Sequence, residues 1–146
     1  MKRTLISFLV FLTAGCTTTP SLDGSYLGDI KESSQITAPA GSPIKGFTEA
    51  HTQSQARVTV AAVPGGMLLE AGPTIKVRLQ PSGKNAWQVE SKQVCEISIG
   101  RFRGPLLMSG EVHLESDGHI SLELRGAPTE PGMSGGYIYN YKGLRK

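Results

Sequence analysis

Few side chains in this sequence are equipped for acid–base, nucleophilic or metal chemistry, and their spacing decides between those uses. The histidines are His51, His113 and His119. On alternating strands His113 and His119 share an outward face but fall diagonally, His113 opposite Ser121 and His119 opposite Glu115. Diagonal Cβ atoms stand ~7 Å apart, an awkward span for one zinc ion without a third ligand. His51 lies in an early connection, and nothing requires it to approach, so the histidines read as solvated polar side chains. Gly132-Met133-Ser134-Gly135-Gly136 has the Gly-x-Ser-x-Gly spacing of a nucleophile elbow. Such an elbow follows a buried strand and opens a helix. This one follows Pro128-Thr129-Glu130-Pro131 and precedes a tyrosine-rich strand, which reads as a glycine-rich hairpin loop. There is no phosphate loop, dinucleotide fingerprint or zinc cysteine cluster. The expectation is a protein that is not an enzyme, with no cofactor and no metal.

The most distinctive pattern is Tyr137-Ile138-Tyr139-Asn140-Tyr141. Side chains alternate along a strand, so the three tyrosines share one face. Facing inward, they line an interior with hydroxyls able to orient a ligand. Facing outward, they form an aromatic strip for a partner or a membrane interface. They can also simply pack, since aromatic residues favour strands. Lys142 shares the opposite face and is costly to bury, which points the tyrosines inward, as core filling or as a ligand-contact wall. Tyr26 on the neighbouring first strand can join them, and Trp87 is a further inward aromatic, completing a candidate ligand set of Tyr26, Trp87, Tyr137, Tyr139 and Tyr141.

The elements that must position these residues show almost no helical period. Period-two alternation dominates, with Val58 and Val60 (and Ala62), Ile75, Val77 and Leu79, then Cys95, Ile97 and Ile99 on one face. Leu106, Met108, Val112 and Leu114 continue the pattern, followed by Ile120, Leu122 and Leu124. Leu114 and Ile120 must share a face and so pair across a hairpin, leaving Ser116-Asp117-Gly118 as a loop with Gly118 left-handed. The same argument pairs Val77 with Trp87 around Pro81-Ser82-Gly83. The expected strands are 24–31, 56–63, 66–71, 74–80, 85–91, 93–100, 105–115 and 118–126, with 135–142 as a ninth. Residues 66–80 alternatively form one strand bent at Gly72-Pro73. Residues 32–55 and 127–134 read as the two long connections. A sheet with one wet face must cover the other, and short sequential hairpins favour closure into a small antiparallel up-and-down β-barrel of about eight strands.

The chain has 146 residues, of which 18% are charged, and a formal net charge of +3. Its start reads Met-Lys-Arg, an apolar stretch over residues 4–14, then Gly15-Cys16. About 20 apolar residues are needed to span a bilayer, so this is a signal-peptide core and not an anchor helix. Leu12-Thr13-Ala14-Gly15-Cys16 resembles the lipobox of bacterial lipoproteins, with Thr13 where leucine is commonest. That resemblance implies diacylglyceryl attachment to the Cys16 sulfur, removal of residues 1–15 and a membrane partner through the acylated cysteine. Thr17, in place of aspartate, implies the outer membrane facing the periplasm in a Gram-negative cell. Residues 16–22 then form the acylated cysteine and a short tether, and residues 23–146 a single barrel domain. Loss of Lys2 and Arg3 leaves 13 Lys and Arg against 12 Asp and Glu. A mature charge of +1 argues against nucleic acid as a partner. Cys95, left without a disulfide partner, is expected on an inward face.

The layout of first strand, long connection, hairpin run and closing strand resembles the calycin (lipocalin-like) plan, and Gly24-Ser25-Tyr26 resembles its Gly-x-aromatic opening. The resemblance implies a barrel whose long early loop covers the open end as a lid; a plain surface loop is the alternative. Two functions follow as expectations. The barrel binds a small apolar ligand, or it is filled and its outer surface binds an envelope protein partner, as an assembly accessory or enzyme inhibitor does.

Overall fold

The computed structural model describes residues 21–42 and 46–146. Cys16 and Ile44, together with the expected signal peptide and most of the tether, lie outside the described residues. The strands are β1 (Gly24–Thr37), β2 (Phe47–Val63), β3 (Gly66–Ala71), β4 (Ile75–Gly83), β5 (Ala86–Val89), β6 (Gln93–Ile99), β7 (Phe102–Leu114), β8 (His119–Pro128) and β9 (Ser134–Arg145). They form one antiparallel sheet in the order β5-β4-β3-β2-β1-β9-β8-β7-β6, and β5 also pairs with β7. That pairing closes an eight-stranded up-and-down barrel, with β6 as the extra strand. β5 and β6 both run along β7, as Trp87↔Val112 and Cys95↔Leu106 show. They amount to one strand interrupted at residues 90–92, where Lys92 takes φ 64°.

The alternation sorts the faces as expected. Val58, Val60, Ile75, Val77, Leu79, Cys95, Ile97, Ile99, Leu106, Met108, Val112, Ile120 and Leu124 are all buried. Leu114 pairs with Ile120, and Gly118 adopts φ 84° in the loop between them. A substituted β-carbon is strained at such an angle. β3 and β4 are separate strands around residues 72–74, and Leu69 rather than Leu68 is the inward residue.

Several expectations are corrected. Residues 32–55 are not one long connection, since most of them belong to paired strands. β1 and β2 continue as a paired hairpin to Ile36↔Phe47. The strand was hidden because its side chains are largely polar on both faces and because a bulge breaks its period. Gly28 pairs with Ala56 but Ile30 with Gln53, and Gln55 takes φ 55° between them. Val77 does not pair with Trp87. Leu79 pairs with Val89 and Pro81 with Trp87, and the turn is Lys84-Asn85, with Asn85 at φ 54°. The two registers differ by four residues, which leaves every side chain on its original face, so alternation cannot separate them. The observed one sets Leu79 against apolar Val89. Ala62 is exposed at the β2–β3 hairpin tip instead of inward. Leu22, placed in the tether, is fully buried and belongs to the core.

Candidate functional site

The bulge in β2 determines what lies inside one half of the barrel. It shifts the face-sharing parity of β2 from even to odd residues, so that Glu49 and His51 stand on the same face as Glu32, Glu49 partly buried and His51 exposed. In cross-strand rows over β2, β1 and β9, His51, Glu32 and Tyr139 stand side by side. The next row is Glu49, Ser34 and Tyr137, and the third is Phe47, Ile36 and Gly135. Residues directly opposite on one face have Cβ atoms about 4.5–5.5 Å apart. Six polar side chains thus share one face, running from buried Ser34, Tyr137 and Tyr139 through partly buried Glu32 and Glu49 to exposed His51.

Glu32 is its centre. Tyr137 donates its phenol hydrogen to Glu32 Oε2 at 2.6 Å, and His51 Nδ1 lies 3.0 Å from Oε1. A carboxylate only accepts, so Nδ1 carries the hydrogen. Burial first, then the bond to Glu32, raises the Tyr137 phenol pKa far above its ordinary value. Burial and the Glu32 charge raise that of Tyr139. Burial pushes Tyr141 up to about 12. All three phenols are therefore neutral hydroxyls at physiological pH. Tyr139 Oη and Ser34 Oγ, in residues only 3% and 2% exposed, have no hydrogen-bond partner among the described residues. Buried polar atoms left unpaired are uncommon in folded proteins.

Glu32, Glu49 and His51 are reached through the wall. β3 and β4 end at mid-height, so the first half of β2 faces the end of β6 with no ladder between them. An open slot of about 320 Å³ lies there, lined by Glu32, Glu49, His51, Ser98, Ile99 and Gly100. Glu49 closes its rim, accepting from the Arg101 backbone N–H at 3.4 Å with Arg101 Nε 3.9 Å away. Further along β6, the Cys95 thiol is buried and donates to the Lys76 carbonyl at 3.5 Å, bridging β6 to β4.

A second concavity sits at the barrel mouth beside the third row. Phe47, Phe102, Pro105, Pro128 and Met133 line about 260 Å³ of it together with polar Arg101, Arg103, Thr129 and Glu130. Its walls come from the start of β2, the β6–β7 turn and the β8–β9 loop.

The tyrosines face inward, but the structure does not bring the five candidate aromatics together. Tyr137 and Tyr139 belong to the polar patch. Tyr141 is one row further along, donating to the Ala56 carbonyl at 3.2 Å. Its ring lies over Gly143, where a β-carbon would stand 2.2 Å from Tyr141 Oη. Tyr26 is at the opposite end, donating to the Leu22 carbonyl at 2.7 Å and accepting from Arg145 at 2.8 Å. Trp87 is half-buried toward that same end, on β5. Glu32, Ser34 and Glu49 are not marked by the sequence alone, because their segments read as a loop. The available signal was the continued run Ile30, Glu32, Ser34, Ile36, whose two polar members concealed its period.

His113 and His119 lie on the outer face and make local contacts to Glu111 and Asp117. No group of three metal-ligating side chains is assembled among the described residues. Comparison with protein-family models, curated proteins and solved structures finds no match for the chain.

Proposed function

We propose that this chain is a non-catalytic binding module of the bacterial cell envelope, anchored through an acylated Cys16, whose barrel takes a small apolar ligand at its mouth. The address rests on the lipobox-like residues before Cys16 and on Thr17, which favours the outer membrane facing the periplasm in a Gram-negative cell. The ligand reading rests on one observation, the concavity walled by Phe47, Phe102, Pro105, Pro128 and Met133. At about 260 Å³ it suits an aromatic ring or a short alkyl chain, because apolar cavities of roughly 150 Å³ already hold benzene. This moves ligand contact away from Tyr26, Trp87, Tyr137, Tyr139 and Tyr141, which are committed to packing, to hydrogen bonds or to the inner patch.

The test is titration of the detergent-solubilised full chain with toluene, followed through the Met133 methyl resonance. Saturable shifts are expected, and Phe47→Glu, at another wall of the concavity, abolishes them while circular dichroism stays unchanged. Absence of saturable shifts up to the solubility limit of toluene overturns the reading.

A second reading has a specific observation behind it. Val94, Leu107 and Ala127 form one cross-strand row on the outer face of β6, β7 and β8. Val94 and Leu107 are 54% and 43% exposed. Such a row fits the filled barrel that binds an envelope protein partner, and failure of the toluene experiment with the fold intact transfers the assignment to it.

A further inference from the structure

We propose that the ligand of the barrel mouth carries a carboxylate beside its apolar part, a small aryl or short alkyl carboxylate whose charge is held by Arg101 and Arg103. This rests on the mouth being the ligand site and adds the chemical class of what it takes.

The ladder brings apolar and cationic side chains to one concavity. β8 pairs with β7 only from Leu106 onward, opposite Pro128, so the stretch Phe102 to Pro105 has β6 on one side and no strand on the other. Side chains alternate along a strand, and a free edge borders both faces at once. Buried Phe102 lines the concavity from the inner face and exposed Arg103 from the outer one, while Arg101 lines it from the β6–β7 turn. Gly104 keeps the Phe102 ring close to the backbone, since a β-carbon there would stand 3.3 Å from Phe102 Cζ. Phe47 and Met133 extend the apolar wall.

The two guanidinium groups are uncommitted. Arg101 Nε lies 3.9 Å from Glu49 and Arg103 Nε 3.8 Å from Glu96. At those separations the contacts are charge attractions and not hydrogen bonds, and the terminal amino groups of both forks are open to an acceptor. A guanidinium meets a carboxylate through two parallel N–H···O bonds. Glu130 is the one carboxylate of the lining, so two cations against one anion leave it net positive. An anion is favoured there over a neutral or cationic molecule of the same shape.

The size limits the ligand. Apolar cavities of roughly 150 Å³ hold benzene, so about 260 Å³ admits a ring or short chain with its carboxylate. The apolar part goes against Phe47, Phe102 and Met133. The carboxylate stays on the solvent side, where the arginine side chains are 85% and 79% exposed, and no charge has to be buried.

The experiment titrates the full chain, solubilised in a non-ionic detergent, with p-toluate, p-toluamide and toluene, each followed through the Met133 methyl resonance. p-Toluate and p-toluamide share a shape and differ in charge. Saturable shifts with all three are expected, with toluene displacing p-toluate. p-Toluate binds more tightly than p-toluamide by about threefold or more, the scale of solvent-exposed ion pairs. The double variant Arg101→Gln, Arg103→Gln brings the two to equal affinity with unchanged circular dichroism, since both side chains are exposed. Toluene binding with p-toluate no tighter than p-toluamide, or a preference that the double variant keeps, overturns the carboxylate class and leaves the apolar mouth standing. p-Toluate that toluene does not displace is bound elsewhere and also overturns it. No saturable shift with any of the three overturns the mouth as a ligand site and this proposal with it.

Discussion

The phenol of Tyr137 on β9 donates a 2.6 Å hydrogen bond to Glu32 on β1, joining residues 105 positions apart on neighbouring strands. The pair sits inside a barrel whose other inward residues are mostly aliphatic, so the interior is divided. One half is a packed apolar core, stopped at its end by Leu22 and Tyr26. The other half keeps apolar side chains such as Ile36, Ile99 and Phe102 but carries a polar patch on β1, β2 and β9 that opens through the wall. The partly buried Glu32 carboxylate is tolerated there because it faces the open slot and Tyr137 and His51 each bond to it.

Packing makes the tyrosine strand a stability element. Tyr139→Ala is expected to cost about 3–5 kcal/mol, as large-to-small aromatic core changes do. Tyr139→Phe is expected to be neutral or mildly stabilising, since it removes a buried hydroxyl that has no partner. Urea unfolding of the two variants measures both, and a loss below about 0.5 kcal/mol for Tyr139→Ala contradicts the inward packing.

Gly143 is expected to be intolerant of a side chain. A β-carbon there meets Tyr141 Oη at 2.2 Å and the ring carbons behind it. Gly143→Ala must displace the ring from the Ala56 carbonyl, at a cost of about 1–3 kcal/mol for overpacking. A melting temperature equal to that of the parent chain counts against this account.

Alkaline pH is expected to unfold the protein, with a sign that follows from the phenols. Their folded-state pKa values are raised, with Tyr141 at about 12 and burial as the main cause in all three. Between the ordinary tyrosine value of about 10 and the raised folded values, the folded state binds more protons than the unfolded state. Stability is therefore fully present below about pH 10 and falls as pH rises above it. Ultraviolet absorbance should show phenolate from Tyr137 and Tyr139 appearing only with loss of the near-ultraviolet circular dichroism signal. Phenolate formation from these residues in the folded state contradicts the prediction.

Cys95 is 5% exposed and turned toward the Lys76 carbonyl. A bulky aromatic disulfide reagent should label it slowly in the native state and rapidly in urea. Immediate native labelling contradicts an inward thiol.

The anchor assignment is tested by Cys16→Ser, which should release the protein from membranes or stall its processing. Unchanged fractionation together with unchanged mass counts against acylation.

What could be read directly from the chain was whatever depends on neighbours in sequence. Ile75, Val77 and Leu79 on one face, Leu114 opposite Ile120 around Gly118, and the inward Tyr137, Tyr139 and Tyr141 all follow from a two-residue period and local turn chemistry. The expected lipid anchor is also a local pattern, of charge, apolar length and small residues before Cys16. The rest was decided by tertiary pairing. Pairing Val77 with Trp87 and pairing Leu79 with Val89 bury the same faces, so only the assembled β4–β5 turn at Asn85 selects between them. Glu32, Glu49 and His51 looked like loop residues, because a polar face erases the alternation that marks a strand. Their sharing of one face depends on one extra residue in β2, near Gln55, opposite the stretch between Gly28 and Ile30. Parity beyond a bulge is set by the partner strand's ladder, and only the closed barrel, with β9 on the other side of β1, brings Tyr137 to Glu32.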